Sequence, residues 1–536
     1  MRVLQPGGAQ RPIWTAALAL LLVLVATAGL AASAQAANYT VGTTADVAGG
    51  CAPESNTCSL RQLIEYEDAR PPLTETETPD VIVVPAGGYN LTLGELKITQ
   101  TLVILGAGAR TTTVAESVAA QRVFEVAPPE TGEKTPTVVI SGLTISGGSS
   151  GYYGGDIYNK ALLLLVEDWI TGGQAISGGG ISNDAEAGGV FHEAGTLVLR
   201  DSLVSGNHAN AEPASGGGIQ NHGARGEPGA KAILVVEDST VADNDASLAS
   251  GIYSFSPSGV DENQVSIINS TIAHNVTQDE NGIPAAGLGA GLLIADGAAN
   301  VFNSILAFNS EEAIPNNCAT AGSGTITTPP GIGGYNIETG TDCNFTSVGD
   351  RQNTNPDFSS EAPQNNGGNT DTLGLNAGSP AIDAIPAESL FCTGQADQRG
   401  LARPQGAGCD IGAFEYGNVA IITPPPPPPP PAAPPTVLNT APPSVLSTTS
   451  ATFTATVNPN GLPTTVHFEY GGVFGGATVA AITYNHSTPN QTLPADFTNH
   501  TVTATVTGLL PNVTYHVRAV ATNGAGNVLG PDQILQ

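Results

Sequence analysis

One phrase limits what this chain can fold into: a pair of short apolar runs that closes on asparagine and recurs along the sequence. It reads TLVLRDSLVSGN to Asn207, VVEDSTVADN to Asn244, VSIINSTIAHN to Asn275 and NVFNSILAFN to Asn309. Degenerate copies, ISGLTISGG and LVEDWITGG, end at Gly148 and Gly173. A glycine-rich phrase alternates with it, as GGDIYN to Asn159, SGGGISN to Asn183, SGGGIQN to Asn221, SGIYS to Ser254 and GAGLLI to Ile294. The end points 148, 173, 207, 244, 275 and 309 place one unit every 25 to 37 residues. Self-similarity at such a period marks a solenoid or array.

Within a copy the apolar residues alternate, as in Leu197, Leu199 and then Leu203 or Val204, or Val265, Ile267 and then Ile272. A period of two is a strand signal, and no copy sustains the 3.6 spacing of a helix. Short strands without intervening helices, turned by Gly and Asn, predict a parallel β-helix with one inward apolar side chain per strand stacked on its equivalent a coil away. Asn207, Asn244, Asn275 and Asn309 are expected in file at a sharp corner, where asparagine tolerates the left-handed conformation and its amide bonds along the stack. The glycines are expected to let backbones close up at a second corner. A β-sandwich of unrelated hairpins is the alternative, but it has no need of one phrase four times.

Composition narrows the partners. The 536-residue chain suggests more than one domain. Its net charge of −31 and pI near 4.3 argue against nucleic acid or anionic membrane surfaces. Between residues 136 and 350 stand four Lys/Arg against twenty-three Asp/Glu, a surface that repels a polyanion such as polygalacturonate. Residues 1–36 read as a secretory signal: Arg2 and Arg11, an apolar run from Ala16 to Leu30, and a small-residue cleavage site at Ala32-Ser33-Ala34 or Ala34-Gln35-Ala36. An uncleaved N-terminal anchor is the lesser reading. In an oxidising compartment six cysteines favour disulfides over metal. Spacing groups them as Cys51/Cys58, Cys318/Cys343 and Cys392/Cys409; fifteen connectivities are open to six cysteines, and local closure is the simplest.

Ser59-Leu60-Arg61-Gln62 has the form of a capping box and opens a short helix ended by Pro71-Pro72. Such a helix would cover the open end of a β-helix. CSLRQLIEYEDA followed by VIVVPAGGYNLTLG resembles the CSLREA-type N-terminal domain of exported bacterial right-handed β-helix proteins. NPDFSSEAPQNNGGNTDTLGLNAGSPAIDA and DQRGLARPQGAGCDIGAFEY resemble the C-terminal module of the choice-of-anchor Q group. The resemblance spans roughly residues 38–417 and implies an exported, envelope-associated solenoid of the pectin-lyase-like type, without implying a reaction. Those families usually end in an anchoring signal, whereas here residues 424–431 are consecutive prolines, a stiff spacer. Beyond it, LLPNVTYHVRAVATN resembles the fibronectin type III signature, with Tyr515 as the corner tyrosine and Phe453 in place of the usual core tryptophan. The expected fold is all-β: a right-handed parallel β-helix with a short N-terminal helix, plus a C-terminal β-sandwich. The expected division is signal 1–36, cap 37–80, coils 81–310, further coils and end module 311–417, linker 418–435 and sandwich 436–536.

Chemistry is sought in the long connections, which line up on one face of such a stack. They hold Asp184, Glu186, His192, Glu193, His208, His222, Glu227, Asp261, Glu262, Asp279 and Glu280. Three readings compete. A polysaccharide lyase or hydrolase would use a carboxylate pair, for which Asp243 and Asp245 are the candidates. Calcium binding would draw on Asp184, Glu186, Asp261 and Glu262, although these also serve as a solvated acidic surface. A non-enzymatic surface scaffold would display loops on a rigid rod, with Tyr152, Tyr153, Tyr158 and Trp169 as a weak sugar-stacking patch. Asp397, Arg399, Arg403, Asp410 and Glu415 are read as a charge-paired cap on the last coil, and His192, His208, His222 and His274 as loop and corner residues. The scaffold reading fits best: secreted or cell-surface, monomeric, with no cofactor, and with envelope material or glycans as the partners to test.

Overall fold

The computed structural model describes residues 36–73, 78–129, 135–185, 195–210, 215–223, 231–256, 263–277, 289–311, 314–328, 333–389, 391–417, 434–473, 484–495, 498–511 and 513–535. The signal segment, the proline tract and the loop residues Glu186, His192, Glu193, Glu227, Asp261, Glu262, Asp279 and Glu280 lie outside them.

The repeated phrase winds into a right-handed parallel β-helix. Among the described residues its faces are a ten-stranded, a nine-stranded, a narrow six-stranded and an eight-stranded sheet, and each strand pairs in parallel with its equivalent one coil on, save Ile314–Pro315, which turns back antiparallel on Ser310–Glu311. One coil runs Thr196–Arg200, Leu203–Ser205, His208–Ala209 and Ile219–His222 before Ile233–Glu237 begins the next. Register is strict: Leu197 lies opposite Leu234 and Leu199 opposite Val236. The first strand, Asn38–Thr40, pairs with Val81–Val83, so the ten-stranded sheet begins within the segment read as a cap.

Strand length sets how many side chains enter the core. Five-residue strands of the ten-stranded sheet send in two, Leu163 and Leu165, then Leu197 and Leu199, then Leu234 and Val236, all without exposure. Three-residue strands of the nine-stranded sheet send in one, such as Ile170, Val204, Val241 and Ile272. One per strand was expected, which holds only for the short strands. Each such residue is worth about 1.5–3 kcal/mol in removed apolar surface.

The corners carry the polar bookkeeping. Asn207 Nδ2 donates to Asn244 Oδ1 at 3.0 Å, Asn244 to Asn275 at 2.9 Å and Asn275 to Asn309 at 2.8 Å, each also reaching a main-chain carbonyl. Their backbone is not left-handed. That conformation falls on the residue before: Gly206, Asp243, His274 and Phe308, with φ of 67°, 55°, 56° and 56° respectively. The amide must turn inward to bond along the stack, so its neighbour makes the turn. At the glycine corner a Cβ on Gly217 would lie 2.4 Å from the Asp245 carbonyl oxygen, and one on Gly179 2.5 Å from that of Gly217. Only glycine fits there.

At the N-terminal end the helix Leu60–Asp68 starts with the capping box formed by Ser59 and Gln62. Leu60, Leu63 and Ile64 are buried against the first coils. Arg61 pins the helix, pairing with Asp46 at 2.7 Å and donating to the carbonyls of Gly94 and Glu95. The described residues between 436 and 535 form two antiparallel sheets around Phe453 and Phe468, whose ring centroids are 5.9 Å apart. Tyr515 Oη accepts from the Leu510 amide at 3.0 Å.

Replacing Asn244 by alanine strands the Val204 carbonyl and the Asn207 amide in the interior, a loss of about 1–3 kcal/mol. Trp169 is the one tryptophan after residue 36, so urea unfolding followed by its fluorescence reads the solenoid alone. The exposed Gln174→Ala should stay within about 0.5 kcal/mol of the parent.

Candidate functional site

The eight-stranded sheet is bounded by the long connections, those after Ala209 and Thr277 on one side and those after Asp184, His222 and Phe255 on the other. Its outward side chains form a continuous row. Glu125 pairs with Arg122 at 3.1 Å and with Lys160 at 3.7 Å. Both cations sit over the Tyr158 ring, at 5.0 and 4.8 Å. Tyr158 Oη donates to Asp184 at 3.0 Å, Ser182 Oγ donates to it at 3.1 Å, and His222 Nδ1 lies 3.7 Å from it. His222 in turn stacks on Phe255, with centroids 5.9 Å apart. Burial raises the Asp184 carboxyl above its usual range, against the opposing pull of His222 and Tyr158.

This row is chemically self-contained. Serine, aspartate and histidine meet in it, but the carboxylate stands between the other two, whereas a nucleophilic triad needs the imidazole in the middle. Tyr153 stacks with Tyr158 and His222 at 5.9 and 6.3 Å. Rings stacked on one another cover the faces a sugar would need. Tyr152 is 72% exposed. Trp169 belongs to another sheet and donates to Ser205 Oγ at 3.0 Å, so the four aromatics do not form one patch.

The carboxylate pair nominated for hydrolysis does not share a strand. Asp243 is the left-handed corner residue, and Asp245 opens the next strand, bonded to His208 Nδ1 at 2.5 Å. Of the calcium candidates, Asp184 is already engaged and the other three lie outside the described residues. One further group, Glu338, Asp342 and Cys343, gathers its side-chain atoms within 4.8 Å. Its sulfur is spent in the Cys318–Cys343 disulfide. The other bridges are Cys51–Cys58 and Cys392–Cys409, so all six cysteines close locally. His274 stacks on Phe308 at 5.2 Å, and burial lowers its basicity.

The charged set of the end module does not cover the last coil. The module folds back and lies lengthwise against the corner between the ten- and nine-stranded sheets. Gly412 N donates to the Asn303 carbonyl at 2.9 Å, Thr240 Oγ1 to Gln398 at 2.5 Å, and Arg110 to the Gly368 and Thr370 carbonyls at 3.0 Å each. Seven coils at about 4.8 Å each are spanned, roughly 30 Å of rod. Arg399 is clamped on Asp397 at 2.6 Å over the Phe414 ring. Arg403 pairs with Glu415 at 3.0 Å and reaches Asp238 of the solenoid at 3.5 Å. All five nominated residues are buried, which suits a fastening and leaves them no route to substrate.

Two functional-looking carboxylates escaped the sequence reading. Asp168, fully buried, accepts from Leu143 N at 2.7 Å and Val166 N at 3.1 Å. It heads a file continued by Ser202, Ser239, Ser270, Ser304 and Asn336. Asp156 accepts from Gly148 N at 2.8 Å and lies against Gly173. It fills the space left where the two early copies end in glycine instead of asparagine. Burial raises both carboxyls well above their normal range. The signal was there: the copies lacking asparagine each needed a substitute.

Asp238 is pushed up to about 8, by burial first and by Glu237, with Arg403 and Arg200 opposing, and burial and Asp238 in turn raise the neighbouring Asp201. A carboxyl raised on folding stabilises fully below its ordinary value near 3.8, and that contribution is lost as pH rises through about 8. Proteolysis of residues 355–417 is therefore expected to quicken as the pH rises from about 4 to about 8, and Asp238→Asn should flatten the profile. Arg403→Ala leaves buried Glu415 without its cation and should cost about 3–5 kcal/mol in module docking, read by hydrogen exchange.

No family model and no curated protein matches the chain. Two solved structures are similar to it. The ORF18 protein of Geobacillus virus E2 is 11% identical, with 62% of this chain and 64% of that one covered and a TM-score of 0.29. The chain thus spans just under two thirds of the viral protein's length. A pectin methylesterase variant in complex with a hexasaccharide is 14% identical, with 54% and 82% covered and a TM-score of 0.26.

Proposed function

We propose that this protein is an exported, non-enzymatic scaffold of the cell surface or extracellular space, in which a β-helix rod is joined by a proline spacer to a fibronectin III-like sandwich. On this reading residues 38–417 are a CSLREA-type start, coils and a choice-of-anchor Q-type module, as their motifs suggest. The observation that carries it is the fate of the described acidic groups nominated for chemistry. Asp184, Asp245, Asp397, Asp410 and Glu415 are each taken up by hydrogen bonds or ion pairs within the rod or between rod and module, and Asp243 stands exposed at a corner, apart from the strand that Asp245 opens. An extended rod of neutral and acidic surface suits display and attachment to envelope material or glycans.

A second reading, a polysaccharide-active enzyme, draws on Tyr158, Asp184 and His222 beside the long connections. Incubation of the mature protein with neutral and acidic polysaccharides, alongside whole-cell and glycan-array binding, separates the two. Binding without release of reducing or unsaturated ends is expected. Turnover abolished by Asp184→Asn would overturn the scaffold reading. Thermal midpoints with calcium and with chelator should agree within about 1 °C, since a saturating ligand raises stability by several kcal/mol; a calcium-dependent rise would favour the metal-binding alternative.

A further inference from the structure

Beneath the first strand lies a buried cluster of charge that does not balance. Asp80 is 5% and Glu67 6% exposed. One cation faces them, Arg70, whose Nη1 sits 3.1 Å from Glu67 Oε2 and in direct contact with Asp80 Oδ2. The other neighbours are the rings of Tyr39 and Tyr66, 5.7 Å apart edge to face, with Arg70 lying 5.9 Å over Tyr66. Two carboxylates and one guanidinium leave one negative charge uncovered. Glu67 registers the deficit: burial, then Asp80, pushes its carboxyl up to about 7 despite Arg70. Buried charges are normally paired, because desolvating one alone costs several kcal/mol.

The remaining oxygen of Asp80 is not idle. Asp80 Oδ1 accepts from the main-chain nitrogen of Ala37 at 2.6 Å, and the Ala37 carbonyl is held by Val81 N at 2.9 Å. In the intact chain that nitrogen is a neutral amide. Ala37 also directly follows Ala34-Gln35-Ala36, one of the two small-residue sites that suit removal of an export signal.

We propose that the Ala36–Ala37 bond is the processing site, and that the new α-ammonium of Ala37 becomes the second cation of the pocket formed by Asp80, Glu67 and Arg70. An export signal peptidase supplies the hydrolysis. Water adds across the peptide bond, Ala36 leaves as a carboxylate, and the released nitrogen ends as an ammonium. Cutting after Ala34 instead would keep the Ala37 nitrogen an amide and the pocket one charge short. A chain so processed begins on the first residue that the solenoid holds, with no loose leader at the open end of the ten-stranded sheet. The ammonium, stabilised by Asp80, has a folded pKa above its ordinary value. Its contribution is therefore complete below about pH 7.7 and is lost as the pH climbs through the raised value.

The inference rests on the exported reading, and its test separates the two. N-terminal sequencing and intact mass of the protein recovered from an exporting bacterium should show a chain that begins at Ala37. A start at Gln35 overturns the inference and leaves export standing, whereas a retained leader overturns both. Reductive dimethylation of the full mature chain, read by peptide mass as a function of pH, should titrate the Ala37 amine about one unit above the ordinary 7.7–8.0. Asp80→Asn should return it to that range, and in a chain extended by Ala36 the terminal amine, now on Ala36, should also titrate in that range, which keeps the test alive if the Asp80 variant does not fold. An Ala37 amine of ordinary pKa in the parent protein would sink the proposal.

Discussion

Everything in this rod depends on one constraint: each coil must present its neighbour with backbone groups in the same place. Parallel strands satisfy themselves between coils, but corners interrupt the ladder and leave amides and carbonyls inside the stack. An unmatched buried group costs about 1–3 kcal/mol, and a stack repeats any such error at every turn. Side-chain files answer the demand. One runs through Asn207, Asn244, Asn275 and Asn309, another through Asn159, Asn183 and Asn221, and a third from Asp168 through four serines to Asn336. Left-handed residues beside the first and third files supply the sharp turns.

That division of labour explains which parts of the architecture were legible. Alternating Leu and Val told strands from helices, and the recurring asparagine revealed the period, because both answer to local rules that repeat. The position of the turn within the motif was harder to see. Phe308 has no intrinsic claim on positive φ and Asp243 and His274 only a modest one, and the inward pull of the following asparagine imposes it on them. The end module was misplaced for a different reason. Its charges were visible, but pairing between Arg403 and Asp238 joins residues 165 positions apart (403 minus 238), and no local rule reports such a distance.

The candidate site was less legible than the fold. Sequence proximity suggested Asp243 with Asp245, yet a corner divides them. The row from Arg122 through Tyr158, Asp184 and His222 to Phe255 comes from five coils brought to about 4.8 Å spacing, and neighbours in that row are 24 or more residues apart along much of its length. In a solenoid, contact follows the period and not the chain. Aligning the copies under one another, then reading down the columns, would have placed Tyr158, Ser182, Gln220 and Tyr253 together.

The lengthwise module also changes how the rod bears load. Stacked coils alone are vulnerable at their last rung, which can be pulled away one hydrogen bond at a time. Here the module's last described residue, Gly417, lies just past Glu415, whose partner Arg403 is set against Asp238 in a middle coil. A pull on the module would therefore be shared by contacts spread along the rod from Arg110 to Asn303. A tether fastened in that manner yields all at once or not at all.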